Sequence, residues 1–190
     1  MHDYLRSSSY IDWISPHVIA KAAQLASKED TEIDIVRSCF EFVRDEIKHS
    51  LDYRLNPVTC KASEVLKEGT GFCFSKSHLL AALLRANQIP AALVYQRIAF
   101  GEEKNAYYWH GLNAVYLTQF GWYRLDPRGH KEGLVSECSP PHECLPFTPR
   151  VDGEIILEQL WAEPSTAIIQ LLESSTTYTS LIEKLPSIHL

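Results

Sequence analysis

The most informative segment of the chain is Gly69-Thr70-Gly71-Phe72-Cys73-Phe74-Ser75-Lys76, followed closely by the apolar run Leu79-Leu80-Ala81-Ala82-Leu83-Leu84. An apolar run of this kind behind two glycines predicts a buried helix that begins near Cys73 and extends to about Ala86. The first turn of a helix presents unpaired amide groups and the positive end of the helix dipole, which favour a thiolate over a thiol. The stretch therefore predicts a reactive cysteine at the start of a core helix.

Further helices are predicted before this stretch. The first runs from Ser15-Pro16 to about Ala26, because serine is a good capping residue and proline is favoured at the first helical position. The second opens at Thr31 and keeps an apolar stripe with helical spacing as far as Ile47. Residues 48–60 are polar and predicted to be a loop, and a short helix follows from about Ala62 to Lys67.

Antiparallel strands are predicted after the Cys73 helix. Residues 91–98, 109–117 and 122–125 suit strands, with a turn at 118–121 and a polar loop at 100–107. Helices followed by antiparallel strands indicate an α+β fold in which the N-terminal helices pack on the sheet.

The rest of the chain is predicted to be an extension of the same domain. Residues 131–190 are loop-rich at first and then suit two short helices, at about 163–173 and 179–184. With 190 residues and no evident linker, the chain is expected to form a single domain, 1–190, whose core lies at about 30–130.

The predicted hairpin places a histidine near an aspartate. A turn centred near residue 119 pairs positions whose numbers sum to about 238, so His110 stands opposite about 128, within two residues of Asp126. Strands lie ~4.8 Å apart, so the carboxylate can reach one imidazole nitrogen while the other faces a thiol. Each residue alone suits an ordinary structural role. Together, Cys73, His110 and Asp126 are the parts of a thiol acyl-transfer site.

Several motifs resemble those of the transglutaminase-like superfamily, including its bacterial members and cysteine proteases. The nucleophile segment of that family is similar to residues 71–91, and later strands resemble Trp109-His110-Gly111 and Trp122-Tyr123-Arg124-Leu125-Asp126. Upstream, Phe42-Val43-Arg44-Asp45-Glu46-Ile47 and Ala62-Ser63-Glu64-Val65-Leu66 also resemble bacterial members. The resemblance covers about residues 30–130 and implies a papain-like fold with Cys73 as nucleophile, His110 as base and Asp126 as orienting acid.

The resemblance does not specify every residue of the pocket around Cys73. The Cys73 amide is one expected oxyanion donor, the second is Tyr53, Gln96 or another group, and Trp109 is expected near the pocket. One departure concerns the family's glycine after the nucleophile helix, where this chain has Gln88; Asn87 is expected to take the left-handed conformation instead.

The expected chemistry is acyl transfer at an amide bond of a peptide or protein, through a thioester and most simply to water. Transfer to an amine, as in a transglutaminase, and a non-catalytic interaction domain are the alternatives. An arylamine acetyltransferase is a further rival, but its second half is larger and barrel-like. The family's animal enzymes use calcium, but no loop here has dense acidic ligands, so no metal or other cofactor is expected.

Composition excludes other classes of partner. A net charge of −6 with scattered basic residues argues against nucleic-acid binding. No apolar stretch suits a membrane span or a signal peptide, and five irregularly spaced cysteines suggest reduced thiols, so a cytoplasmic location is expected. The oligomeric state is not predicted.

Other candidate residues have simpler interpretations. Cys39 falls within the apolar stripe of the second helix and is expected to be a core thiol. His78 lies on a different helix face from Cys73 and is expected to pack or cap. A zinc site from Cys138, His142 and Cys144, with His130 nearby, is disfavoured because the spacing is unusual for structural zinc.

Overall fold

The computed structural model describes residues 1–100, 106–129, 131, 133–188 and 190. Its α-helices are α1 (Pro16–Ala26), α2 (Glu32–Glu41), α3 (Ala62–Glu68), α4 (Cys73–Ala86), α5 (Thr166–Glu173) and α6 (Tyr178–Lys184). Its strands are β1 (Lys48–His49), β2 (Thr70–Gly71), β3 (Ala91–Phe100), β4 (Ala106–Leu117), β5 (Gly121–Leu125), β6 (Glu137–Ser139), β7 (His142–Cys144) and β8 (Ile155–Ile156). Short 3-10 turns lie at His2–Leu5 and Leu185–Ser187. Most of the predicted polar loop, 101–105, and His130 lie outside the described residues.

Helix α4 is the centre of the molecule. Every residue from Cys73 to Arg85 is buried, because α1, α2 and α3 surround it on one side and the sheet covers the other. Its leucines and alanines form one core with the apolar stripe of α2, in which Val36, Cys39 and Phe40 are fully buried. This confirms the prediction of a core helix and of Cys39 as a core thiol.

The main sheet is antiparallel, with the strand order β5-β4-β3-β8. Strands β4 and β5 pair Asn113 with Leu125 and Ala114 with Arg124, which is the register that the turn at 118–121 predicts. Along β3, Ala91 and Leu93 face the core beneath α4, whereas Ala92 and Val94 join an apolar cluster on the opposite face. The sheet is therefore buried on both faces, and the α+β architecture with N-terminal helices on an antiparallel sheet is confirmed.

The end of α4 corrects one prediction. Asn87 has φ −89° and ordinary backbone geometry, whereas Gln88 takes the left-handed conformation with φ 61°. The amide of Gln88 donates to the Arg85 carbonyl and that of Ile89 to the Leu84 carbonyl, both at 3.0 Å. This is the Schellman pattern, which requires the left-handed residue one position after the cap. The expectation that Asn87 supplies it was wrong.

Two other elements differ from the prediction. Residues 48–60 contain β1, which pairs in parallel with β2 immediately before Cys73. Helix α2 continues as a π-helical turn, Phe42–Glu46, which carries the apolar stripe on to the buried Val43. Two-residue strands have no periodicity of their own, so their pairing arises only when the tertiary structure brings the segments together.

The C-terminal part is fastened to the sheet. Strands β6 and β7 form a hairpin, and Leu93 and Trp161 exchange backbone hydrogen bonds of 2.8 and 3.0 Å. The predicted late helices are present as α5 and α6. Within the described residues, no helix is both long enough and apolar enough to cross a membrane. That residues 1–190 form one domain stays a prediction.

Candidate active site

Cys73 is the first residue of α4 and only 3% exposed. Phe72 caps the helix without a side-chain hydrogen bond, so the amides of the first turn are free to face the site. The preceding strand β2 is held against β1 by the pairs Lys48–Thr70 and His49–Gly71. The entry to the helix is therefore fixed by backbone pairing, and Cys73 stands at its positive end.

A glycine brings the cysteine helix against the histidine strand. A Cβ atom on Gly111 would lie 2.7 Å from Phe74 Cδ1 and 3.1 Å from Phe74 Cα. Only a residue without a side chain allows β4 and the first turn of α4 to approach so closely. Because Gly111 follows His110 and Phe74 follows Cys73, this approach places the imidazole beside the thiol.

His110 and Asp126 form a buried pair. The distance between His110 Nε2 and Asp126 Oδ2 is 2.6 Å, and the two side chains are 4% and 1% exposed. The other carboxylate oxygen of Asp126 accepts the Arg128 amide at 3.0 Å, and its carbonyl accepts the Ser136 hydroxyl at 2.7 Å. Asp126 is thus fixed from both sides and in turn orients the imidazole ring.

The second nitrogen of His110 faces Cys73. Because Asp126 engages Nε2, Nδ1 is the ring nitrogen left to interact with the Cys73 thiol. Burial acts to lower the pKa of His110, but the charges of Asp126 and Cys73 outweigh it and raise the pKa to about 10. These charges therefore favour the imidazolium form of the His110 ring.

Other thiols of the chain have a different environment. Burial raises the pKa of Cys39 to about 12, and burial with the nearby Glu173 raises that of Cys60 to about 12. Burial also raises the pKa of Cys138 to about 11. These three groups are protonated at neutral pH, and a protonated thiol is a poor nucleophile.

Cys73 and His110 open into a cavity of about 290 Å³. Most of its wall is apolar, and the side chains with polar or ionisable groups besides Cys73 and His110 are His49, Tyr108, Trp109, Arg128 and Lys131. The edge of the Phe147 ring packs on the imidazole, with ring centroids 5.0 Å apart and planes at 75°. An apolar enclosure of this kind strengthens the electrostatic interactions between the reacting groups.

A smaller polar cavity of about 140 Å³ lies beside the first and shares His49 and Arg128 with it. Lys76 lines this cavity and donates from Nζ to the carbonyls of Arg44 and Ile47. Burial lowers the pKa of Lys76 to about 7. The Arg128 guanidinium is paired with the Asp52 carboxylate at 2.9 and 3.1 Å.

Sequence reasoning missed His49. Its ring lies 5.2 Å from that of Phe72 and lines the cavity that holds Cys73. Burial, together with the charges of Arg128 and Lys76, lowers the pKa of His49 well below its usual value, so the ring is neutral. No periodicity marked this position, since only the parallel pairing with Gly71 brings it to the site.

The expected pocket residues occupy different places. Tyr53 is 60% exposed and lines the polar cavity, under the ammonium of Lys48. Gln96 stands directly opposite His110 on β3, but its Nε2 donates to the Phe147 carbonyl at 3.0 Å. Trp109 lines the apolar cavity. Gln96 therefore positions the segment that covers the imidazole, and Trp109 belongs to the cavity wall.

The remaining candidates have structural roles or lie apart from the site. His78 is fully buried, and its Nδ1 is 2.7 Å from the Cys60 carbonyl, which confirms the packing interpretation. Cys138 packs into the core through the β6–β7 hairpin, and among the described residues no group of three histidine, cysteine or acidic side chains suits a metal ion.

Comparison with known families assigns the fold. The model of the transglutaminase-like superfamily matches residues 19–127, which include Cys73, His110 and Asp126. The chain therefore belongs to the transglutaminase-like superfamily, as its motifs predicted. No curated protein matches the sequence significantly.

Solved structures of related architecture are also similar. A candidate cysteine protease from Cytophaga hutchinsonii shares 21% identity and a TM-score of 0.51, over 66% of this chain and 40% of its own. The periplasmic domain of TgpA from Pseudomonas aeruginosa shares 21% identity and a TM-score of 0.50, over 65% of this chain and 45% of its own. This chain thus spans less than half of each protein. Such similarity confirms the papain-like, transglutaminase-like fold.

Proposed function

We propose that the protein is a cysteine-dependent amide hydrolase in which Cys73, His110 and Asp126 form a catalytic triad. The observation that carries the proposal is the buried pair of His110 and Asp126, 2.6 Å apart, whose imidazole lines the same cavity as the Cys73 thiol and interacts with it. The order nucleophile, base and orienting acid is that of thiol acyl-transfer sites.

The first half of the reaction forms a thioester. The Cys73 thiolate attacks the carbonyl carbon of the amide, and the carbonyl oxygen becomes an oxyanion that the Cys73 amide at the helix start stabilises. The His110 imidazolium then gives its proton to the leaving nitrogen, the carbon–nitrogen bond breaks, and the amine departs.

The second half of the reaction regenerates the free enzyme. His110, now neutral, takes a proton from water as the oxygen attacks the thioester carbon, and the thiolate leaves with the released carboxylic acid. Asp126 accepts a hydrogen bond from the proton-bearing Nε2 of the ring, so the other nitrogen stays directed at the thiol. An amine in place of water would give transamidation by the same steps.

Alkylation tests the state of the cysteine. Iodoacetamide at pH 6 is expected to modify Cys73 at least ~10-fold faster than free cysteine, because the start of α4 and the neighbouring imidazolium both favour the thiolate, which is the nucleophile. Mass spectrometry of the peptides measures the rate at each site. Cys144, which is partly exposed and free, is the internal control.

Activity tests the role of the residue. Cleavage of fluorogenic peptide amides is expected to be lost in Cys73→Ser and retained in Cys144→Ser. Addition of a primary amine to the assay distinguishes hydrolysis from transamidation. A hydrolase releases mainly the carboxylic acid, whereas a transglutaminase forms the amide of the added amine. If Cys73 reacts like a model thiol and Cys73→Ser leaves amide cleavage unchanged, the interpretation as an interaction domain replaces this proposal.

We also propose a reducing location such as the cytoplasm, supported by five free cysteines that include the nucleophile. Fractionation of the host cells with thiol labelling in each fraction tests this. Recovery of the protein only from an oxidising compartment would contradict it.

A further inference from the structure

The cavity that holds the reacting groups has the size of a side-chain pocket. Its volume of about 290 Å³ is at the lower end of ligand pockets, too small for a folded partner and sufficient for one large side chain with its backbone. Because Cys73 and His110 line the same cavity, the group that occupies it belongs to the molecule under attack.

The charge of the wall restricts what can enter. Among the described residues that line this cavity there is no aspartate or glutamate, whereas Arg128 and Lys131 both line it. Since Asp52 is already paired with Arg128 and Lys131, a lysine or arginine side chain would be buried without a carboxylate in the lining to pair with, which is costly. A glutamine amide would lose its hydrogen bonds to water against an apolar wall, which also costs free energy.

Part of the wall comes from outside the region that the family model matches. Ile182 of α6 and Leu185 of the turn after it line the cavity, whereas the model ends at residue 127. Leu134 and Phe147 also line it from beyond that limit. The composition of this wall is therefore particular to this chain and not to the shared core.

The wall is held firmly in place. Leu171, Leu172 and Leu181 of α5 and α6 are buried in one cluster with Phe72 and Phe74 next to the nucleophile. At the start of α5 the amide of Ser165 donates to the Tyr95 hydroxyl at 3.0 Å, and the amide of Tyr178 donates to Asn56 Oδ1 at 2.8 Å. A wall packed in this way has a definite shape, which selectivity requires.

We infer that the site selects an acyl group with a large aliphatic or aromatic side chain, and that Ile182 and Leu185 determine this selectivity. The inference rests on the proposed function and specifies its substrate class. The occupant is an apolar residue of a peptide whose own carbonyl Cys73 attacks. Burial of such a side chain removes apolar surface from water on both partners.

A set of peptidyl acyloxymethyl ketones tests the substrate class. The probes differ only in the side chain next to the electrophile, which is that of leucine, phenylalanine, glutamine or lysine, and the rate of Cys73 alkylation is measured by mass spectrometry. The leucine and phenylalanine probes are expected to react at least ~10-fold faster than glutamine and ~100-fold faster than lysine. Equal rates for all four, or a faster glutamine or lysine probe, would overturn the inference.

Alanine variants test whether Ile182 and Leu185 determine the selectivity. Ile182→Ala and Leu185→Ala are expected to reduce the preference for leucine over glutamine by at least ~5-fold, while iodoacetamide, which has no side chain, reacts as before. Glu183→Ala, at an exposed position of the same helix, is the matched control and should retain the preference. Unchanged preferences in both wall variants would show that other residues select the substrate.

A charged variant keeps the test decisive if shortening Leu185 destabilises the fold. Ile182 is half-buried and faces the cavity, so Ile182→Glu is expected to raise the rate of the lysine probe at least ~10-fold and to lower that of the leucine probe. No gain with lysine would count against the placement of Ile182.

The two proposals fail in different ways. If no probe alkylates Cys73 faster than free cysteine, the proposed function itself is wrong. If all probes alkylate it rapidly without preference, only the assignment of an apolar acyl side chain is wrong.

Discussion

The region matched by the family model, 19–127, and the region after it contribute to the site in different ways. The first supplies Cys73, His110 and Asp126, all 4% exposed or less. The second supplies apolar wall residues such as Phe147, Ile182 and Leu185. In the first region His110 and Asp126 are hydrogen-bonded to each other beside Cys73, whereas the side chains of Phe147, Ile182 and Leu185 contact the site through packing.

This difference separates chemistry from selectivity. Hydrogen-bonded, charged groups act on the transition state, where the removal of one costs several powers of ten in rate. Apolar walls act on binding, where one methylene changes discrimination only by ~10- to 200-fold. Substitutions in the first region should therefore stop the reaction, and those in the second should alter which substrate reacts or how stable the fold is.

The largest effect is expected from His110→Asn. Asparagine cannot exchange a proton with the thiol or the leaving amine at neutral pH, so kcat/KM for amide cleavage should fall by ~10³-fold. His78→Asn makes the same chemical change at a buried histidine outside the site and should leave kcat/KM within a few-fold. Equal losses in the two variants would mean that the first region acts through stability.

A smaller loss, of ~10²-fold, is expected from Asp126→Asn, together with a change in pH dependence. The carboxylate raises the pKa of His110, and the imidazolium is the form that protonates the leaving amine. Without the negative charge of Asp126 the His110 imidazolium loses its proton at a lower pH. The alkaline limb of kcat/KM, expected near pH 10 in the wild type, should therefore move down. A limb that stays in place in a full pH–rate profile would contradict the role of Asp126.

Gly111→Ala tests whether close packing positions the first region. The added Cβ would lie 3.1 Å from Phe74 Cα, so β4 and α4 must separate by a few tenths of an ångström or more. Small displacements of reacting groups are costly, and kcat should fall by ~10- to 100-fold with a cooperative thermal transition retained. An unchanged kcat in the folded variant would show that the helix and strand adjust without moving the thiol from the imidazole.

The smallest effect on catalysis is expected from Leu181→Ala in the second region. This side chain is 1% exposed, so its truncation should lower the free energy of unfolding by ~2–4 kcal/mol, as measured by urea denaturation. The folded fraction should keep kcat within ~3-fold, since Leu181 packs behind the cavity wall. A collapse of kcat in folded Leu181→Ala would remove the distinction between the two regions.

Local patterns were sufficient for much of the first region. The apolar run after Cys73 specified α4, and the turn at 118–121 specified the register that pairs Asn113 with Leu125. From that register the proximity of His110 and Asp126 followed, and the structure places them 2.6 Å apart. The assignment of these residues as catalytic stays a prediction for experiment.

Local patterns failed where contacts join distant segments. His49 reaches the site through a two-residue strand. Ile182 reaches it from α6, which lies about a hundred residues after Cys73 in the sequence. Tyr53, chosen from its polar loop, lies in the neighbouring cavity instead. In each case the position of the residue depends on contacts between distant segments, and such contacts produce no periodic pattern in the sequence.

Local sequence patterns were enough to predict a helix that starts at Cys73, a hairpin that carries His110 and Asp126, and the family of the chain. These depend on propensities and turn geometry, which act over a few residues. The depth, charge and wall of the cavity could not be predicted in this way, because they arise from long-range packing of the C-terminal helices on the core.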